Sequence, residues 1–244
     1  MESKKLEQMK ADFRGVIKKG PFYQGGAHAK TLGDALWDID REGVFADAVE
    51  EGYLDLCRTC HGIEDSFNRG NTTGEKYCCV RRAVFERLAS KVARVFSSAV
   101  SLDFDECHRE LCQSFMDDMA QMLHYRVTFG HAQKIVNMAF KYLYCCHGAE
   151  KYEDTVFSHC HMPLDSYTIA NYRRCITKED TIPGWSKFDT LADRRLYEKI
   201  QTNVRKYSEE HRQTPLYTEF VWWWDGVQKA AKKNWRRSCN DVRC

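Results

Sequence analysis

The chain is poor in what sheets, membranes and secreted scaffolds require. It has only four prolines in 244 residues and few stretches of apolar–polar alternation, so helices rather than strands are predicted. No run approaches the ~18 consecutive apolar residues that suggest a membrane span. The opening Met1-Glu2-Ser3-Lys4-Lys5-Leu6-Glu7 has no apolar core of an export signal, which predicts a cytoplasmic protein with no membrane partner. Charge of neither sign dominates. A net charge of +2 does not announce a nucleic-acid binder, and any such role would need a local basic face. Internal repeats and strand–helix–strand units are also missing.

A chain of this length can form one large or two small domains with a proper core. Its 43% hydrophobic and 30% charged residues argue for a folded globular protein rather than disorder. Twelve cysteines would suggest disulfides in a small secreted domain, but a reducing compartment makes free thiols the expectation. Cys145 and Cys146 lie in an apolar run, where cysteine behaves as a small hydrophobe. Cys57-Arg58-Thr59-Cys60-His61 has the spacing of a c-type haem attachment, a chemistry that needs export. A zinc site from Cys57, Cys60 and His61 with Cys78 or Cys79 is the better rival, although the adjacent second pair makes tetrahedral closure awkward. Free thiols are preferred, and no metal or cofactor is assigned.

The pattern divides into an N-terminal helical and loop region, 1–80, and a helical domain, 81–244. In the first, short helices are predicted at 32–40 and 43–56, and Gly62 to Lys76 has loop composition. In the second, Val84, Phe85, Leu88, Val92, Val95, Phe96 and Ala99 recur at helical spacing up to about Val100. Leu102-Asp103-Phe104-Asp105 breaks that helix, and the next runs from about 106 to 125. A short connection, Arg126 to Gly130, leads to a helix whose apolar stripe is Ala132, Ile135, Val136, Ala139, Phe140 and Leu143. Helix, glycine-containing turn and helix make residues 106–146 a helix-hairpin-helix candidate. A loop from Gly148 to Met162 precedes a helix from about Leu164 to Cys175, and another helix spans about Asp189 to Tyr207. The last starts with Thr214 as N-cap and Pro215 at its first position, and continues to about Arg237.

Two residues stand out. Lys134 opens the apolar helix, where the positive end of the helix dipole favours a neutral amine. Asp165 follows the turn His161-Met162-Pro163 and heads the next helix. A neutral amine beside a carboxylate is the pairing that attacks an electrophilic carbon, with the carboxylate stabilising cationic character. Taken one at a time, Lys134 would be a solvated first-turn lysine and Asp165 an ordinary N-cap.

Taken together, with their order and the gap between them, the segment Phe129-Gly130-His131-Ala132-Gln133-Lys134 and the turn His161-Met162-Pro163-Leu164-Asp165 resemble the helix-hairpin-helix DNA glycosylases. The archaeal 8-oxoguanine DNA glycosylase branch is the nearest. The resemblance covers about residues 105–175 and implies a mainly α, helix-hairpin-helix glycosylase-like fold. It further implies that Lys134 attacks the sugar carbon of a flipped nucleotide, with Asp165 assisting and strand cleavage at the abasic site following. The partner would be double-stranded DNA bearing an oxidised or otherwise modified base, including hypermodified phage bases, and no cofactor is required. Backbone N–H groups at Gly130 would grip a phosphate. The family's hairpin carries two glycines where this chain has Gly130 followed by His131.

Further candidates come from the residues themselves. His131, Gln133 and His161 are assigned to the substrate pocket, and the triplet His159-Cys160-His161 also offers a metal-binding or Cys–His nucleophile pattern. Trp222, Trp223 and Trp224 point about 100° apart around one helix, so at least one should reach a pocket wall or interface where it could stack on a base. Lys229, Lys232, Lys233, Arg236 and Arg237 form a basic stripe suited to DNA phosphates, or a solvated face. The alternative function is a non-catalytic nucleic-acid-binding module or a defence-related helical interaction protein.

Overall fold

The computed structural model describes residues 2–16, 37–59, 74–97, 103–178 and 181–226. These residues are mainly helical, and the one bridge of β type among them joins Asp38 to His147. The helices are α1 (Glu2–Val16), α2 (Val44–Thr59), α3 (Gly74–Ser97), α4 (Phe104–Leu123), α5 (Phe129–Tyr144), α6 (Ser166–Cys175) and α7 (Leu191–Glu210). Residues 215–226 belong to α8. No helix among the described residues is long and apolar enough to cross a membrane.

The centre of the molecule is α5, and its surroundings follow from its composition. From Ala132 to Tyr144 every residue is buried, so the helix needs partners on all sides. α2 lies along it and α4 packs beside it, while α3 bridges α2 and α4. Gly52 permits the closest of these approaches. A Cβ at this position would stand 2.8 Å from the carbonyl oxygen of Ile135 and 3.4 Å from Met138 Cβ, so any larger residue would push α2 off α5. One apolar core runs through these contacts, from Met9 and Phe13 of α1 to Leu216 and Phe220 of α8.

Two lysines lie in this otherwise apolar helix, Lys134 and Lys141, each 2% exposed. Buried ammonium groups persist only when paired, which imposes carboxylates on the neighbouring elements.

Several boundaries differ from those predicted. The 80/81 division falls inside α3, which begins at Gly74, so the last residues of the predicted loop are helical. Asp103 does not merely break a helix; it caps α4, its side chain accepting from the Glu106 amide at 3.2 Å. His124, in the left-handed region at φ 50°, ends α4 and starts the connection to α5. The loop after Gly148 contains two short 3-10 turns, Ala149–Tyr152 and Phe157–His159. Thr214 caps α8 as predicted, its hydroxyl accepting from the Tyr217 amide at 3.2 Å. The predicted helix at 32–40 and loop at 62–76 fall mostly outside the described residues, as does everything after 226.

Candidate functional site

The buried end of the site is built on α5. Lys134 lies in its second turn, not the first, because Thr128 is the N-cap. Its Nζ donates to Asp165 Oδ2 at 3.0 Å and stands 3.3 Å from Asp55 Oδ2. Asp55 comes from α2, three residues beyond the glycine that lets that helix approach. Asp165 is the N-cap of α6. Its Oδ1 accepts from the amides of Tyr167 at 2.9 Å and Thr168 at 3.0 Å, which turns Oδ2 towards Lys134. The Thr168 hydroxyl closes the capping box by accepting the Asp165 amide at 2.8 Å.

Electrostatics correct the expectation of a neutral amine. Burial opposes the charge on Lys134, but Asp165 and Asp55 outweigh it and hold its pKa above the ordinary lysine value. Lys134 rests as an ammonium. Burial likewise pushes Asp165 upward, and the charge of Lys134 with the Thr168 amide overcomes it, leaving the carboxyl below its ordinary value. The two effects are one interaction seen from its two ends.

Around this pair opens a cavity of about 420 Å³. Phe13, Trp185 and Trp223 give it aromatic walls, Tyr167 is beside Asp165 and Met138 beside Lys134. Lys141, two turns along α5 from Lys134, also lines it. The Lys141 ammonium donates to Glu219 Oε1 at 2.8 Å and is ringed by Phe13 at 4.3 Å, Phe220 at 4.7 Å and Trp223 at 5.3 Å. Burial raises the Glu219 carboxyl pKa against the opposing pull of Lys141. The site therefore offers an aromatic slot, two buried lysines and two carboxylates, with Glu219 behind Lys141.

The other candidate residues divide sharply. Trp223 lines the cavity. Trp222 does not: it is buried against Tyr207, with ring centroids 5.7 Å apart. Trp224 is half-buried beside Trp223 and is not part of the lining. Gln133 is not a pocket residue but a strut. Its side-chain amide donates to Leu164 O at 3.2 Å and its carbonyl accepts the Leu164 amide at 3.3 Å, clamping the residue before Asp165 onto α5.

His131 belongs to the capping box of α5, its Nδ1 accepting the Thr128 amide at 3.5 Å. Gly130 is where the chain meets the 185–188 turn. Its amide donates to Phe188 O at 2.8 Å, and a Cβ there would stand 1.9 Å from Trp185 O. The Phe129 and His131 amides are also taken, by Asp189 Oδ1 at 3.4 Å and Thr128 Oγ1 at 3.2 Å. The amides of Thr128, Phe129, Gly130 and His131 are thus all engaged, and the expected backbone grip at Gly130 is not formed.

His161 lies elsewhere, lining a second cavity of about 290 Å³ with His108, Tyr197 and Asp105. Its Nε2 pairs with Asp105 Oδ1 at 2.6 Å and its Nδ1 with the Tyr197 hydroxyl at 2.9 Å. Burial lowers its pKa to about 4. Asp105 is held well below the carboxylate range by hydrogen bonds from His161 and Arg205. Cys160 is fully buried and its thiol pKa raised by that burial, the opposite of an activated nucleophile. Of the cysteine cluster, Cys79 is a free thiol and Cys57 is half-buried in α2; Cys60, His61 and the Cys78 side chain lie outside the described residues. So do Lys229, Lys232, Lys233, Arg236 and Arg237.

Sequence reasoning missed Asp55, Lys141, Glu219, Phe13 and Trp185. The signal for one of them was present: Lys141 stands at helical spacing from Lys134 in an apolar helix. Neither a protein-family model, nor a curated protein, nor a solved structure matches this chain.

Proposed function

We propose that this protein is a DNA glycosylase with associated abasic-site lyase activity, built on a helix-hairpin-helix glycosylase-like arrangement of its helices. The observation that carries the reading is the Lys134 side-chain nitrogen, 3.0 Å from Asp165 and lining a cavity of about 420 Å³ with aromatic walls. That volume falls in the roughly 300–1,000 Å³ range of small-molecule sites. A flipped nucleotide would place its base in the aromatic slot and its sugar against Lys134. Once its ammonium has given up a proton to solvent in the cavity, Lys134 Nζ attacks C1′, the base departs with the bond's electron pair and takes a proton from solvent, and Asp165 stabilises the cationic character that develops at the sugar. Ring opening leaves a Schiff base, and elimination of the 3′ phosphate cleaves the strand.

The substrate class is double-stranded DNA with an oxidised or otherwise modified base. Because the amides of Thr128 to His131 are engaged within the protein, DNA grip in this reading rests on basic side chains, with Lys229, Lys232, Lys233 and Arg236 as candidates.

The test uses labelled duplexes carrying 8-oxoguanine, uracil, an abasic site or glucosylated hydroxymethylcytosine, each treated with borohydride. Wild-type protein should give a covalent adduct and strand cleavage on at least one of them, and Lys134→Gln should give neither. DNA binding without any adduct, retained in Lys134→Ala, would instead establish a non-catalytic nucleic-acid-binding module. No binding at all would leave an interaction protein.

A further inference from the structure

Tyr167 lines the cavity and is also 44% exposed, so its ring stands where the cavity meets solvent. Among the described residues only one other large apolar side chain is so exposed, Leu191, and it lines the second cavity instead. A single exposed ring is ordinary on a protein surface. This one is fixed at both its backbone and its face. The Tyr167 amide donates to Asp165 Oδ1 at 2.9 Å, within the same cap that turns Oδ2 towards Lys134. Its carbonyl oxygen accepts from Asn171 Nδ2 at 3.0 Å, and that group also donates to Trp222 O at 3.3 Å, tying α6 to α8. The ring itself lies against Gly226 of α8, where a Cβ would stand 2.7 Å from Tyr167 Cδ1 and 3.2 Å from Cε1. An aromatic ring is thus held out to solvent, two residues from the carboxylate that pairs with Lys134.

A base that swings out of a duplex leaves a gap and exposes the faces of its former neighbours to water. An apolar side chain set into such a gap restores part of the lost stacking. It must be exposed, held in place, and close to the sugar under attack, and Tyr167 meets each condition. Resting on the glycosylase reading above, we infer that Tyr167 contacts the duplex itself, its ring entering the gap left by the flipped nucleotide and stacking on a neighbouring base. The other aromatic residues of the site have a different task. Phe13 is buried, Trp185 and Trp223 are half-buried, and all three wall the cavity that receives the base. Because every base has a face on which a ring can stack, Tyr167 favours the flipped state without selecting which base is flipped.

The experiment compares borohydride trapping rates on an abasic site within a duplex and on the same strand alone, which has no paired stack to fill. Tyr167→Ala should lower the ratio of duplex to single-strand rates about 5- to 100-fold, as for loss of one base–aromatic stack. Tyr167→Phe keeps the ring and should restore the ratio. A 2-aminopurine placed beside the abasic site in the duplex gives a second readout. Its fluorescence should be quenched on binding wild type or Tyr167→Phe, and less so on binding Tyr167→Ala.

Equal slowing on duplex and single strand, with the quench retained in Tyr167→Ala, would overturn the inference. It would make Tyr167 a wall of the cavity and leave the glycosylase reading intact. Tyr167→Phe as impaired as Tyr167→Ala would also overturn it, assigning the effect to the hydroxyl rather than the ring. So would a ratio and a quench that Tyr167→Ala leaves unchanged. No adduct from wild type on any duplex would remove the reading and the inference together.

Discussion

Lys134 and Asp165 make opposite demands on pH. A lysine whose folded pKa stands above the ordinary 10.5 contributes stability in full below that value and loses it as pH rises through the folded value. An aspartate whose folded pKa stands below the ordinary 3.8 contributes above that value and loses it as pH falls through the folded one. Urea unfolding of wild type and Asp165→Asn should therefore differ most between about pH 5 and 9 and converge in strong acid. His161 acts between these limits. Its pKa is lowered from 6.5 to about 4, so the unfolded chain binds more protons than the folded one in that window. Stability should fall as pH drops from 6.5 towards 4, and His161→Asn should flatten that part of the curve even if its overall stability is lower.

At this scale the sequence was readable where local chemistry repeats and opaque where partners come from afar. Asp165 was legible because a cap announces itself by position. Asp55 was not, since nothing in Tyr53-Leu54-Asp55-Leu56 tells which helix its carboxylate will face. Gln133 and His161 misled for a common reason. A polar side chain in an apolar segment reads as a pocket group, and both proved to be satisfied by buried hydrogen bonds.

Among elements, the arrangement depends on the close approach at Gly52 and on the hydrogen bonds of Gln133 to Leu164. Gly52→Ala places a methyl against the Ile135 carbonyl, which should cost about 1–3 kcal/mol in urea unfolding. Gln133→Ala should leave the buried Leu164 amide and carbonyl without their side-chain partner, costing about 1–3 kcal/mol and loosening Asp165. A variant as stable as wild type would show that the 162–164 segment is held by other contacts, such as Gln201 to Met162.

The helices themselves were legible from periodicity, and Asp165 and Thr214 from their cap positions; Thr128 and Thr190, which also cap helices, were not read as caps. The reach of α3 back to Gly74 was not, because glycine, threonine and asparagine before it read as loop. The closed Gly130 turn was also hidden. Only the fold brings Phe188 and Asp189 over the first amides of α5.

Across the whole molecule, the cavity assembles from α1, α2, α5, α6, α8 and the turn at Trp185, spanning Phe13 to Trp223. A site of such dispersed origin forms only with the complete core, so its chemistry and the protein's folding should be lost together in urea. In the proposed glycosylase, DNA grip is a separate property. Replacing Lys229, Lys232, Lys233 and Arg236 by alanine should weaken duplex binding and lower the slope of log affinity against log salt by roughly 0.9 for each phosphate no longer neutralised. An unchanged slope would remove that stripe from the DNA interface.

The most direct measurement is peptide mapping by mass spectrometry of wild-type protein trapped with borohydride on an abasic-site duplex. The sugar remnant should be found on the peptide containing Lys134, at that lysine alone. Its attachment to Lys141, to another lysine or to the N-terminal amine, with Lys134 unmodified, would contradict the assignment of Lys134 as the nucleophile.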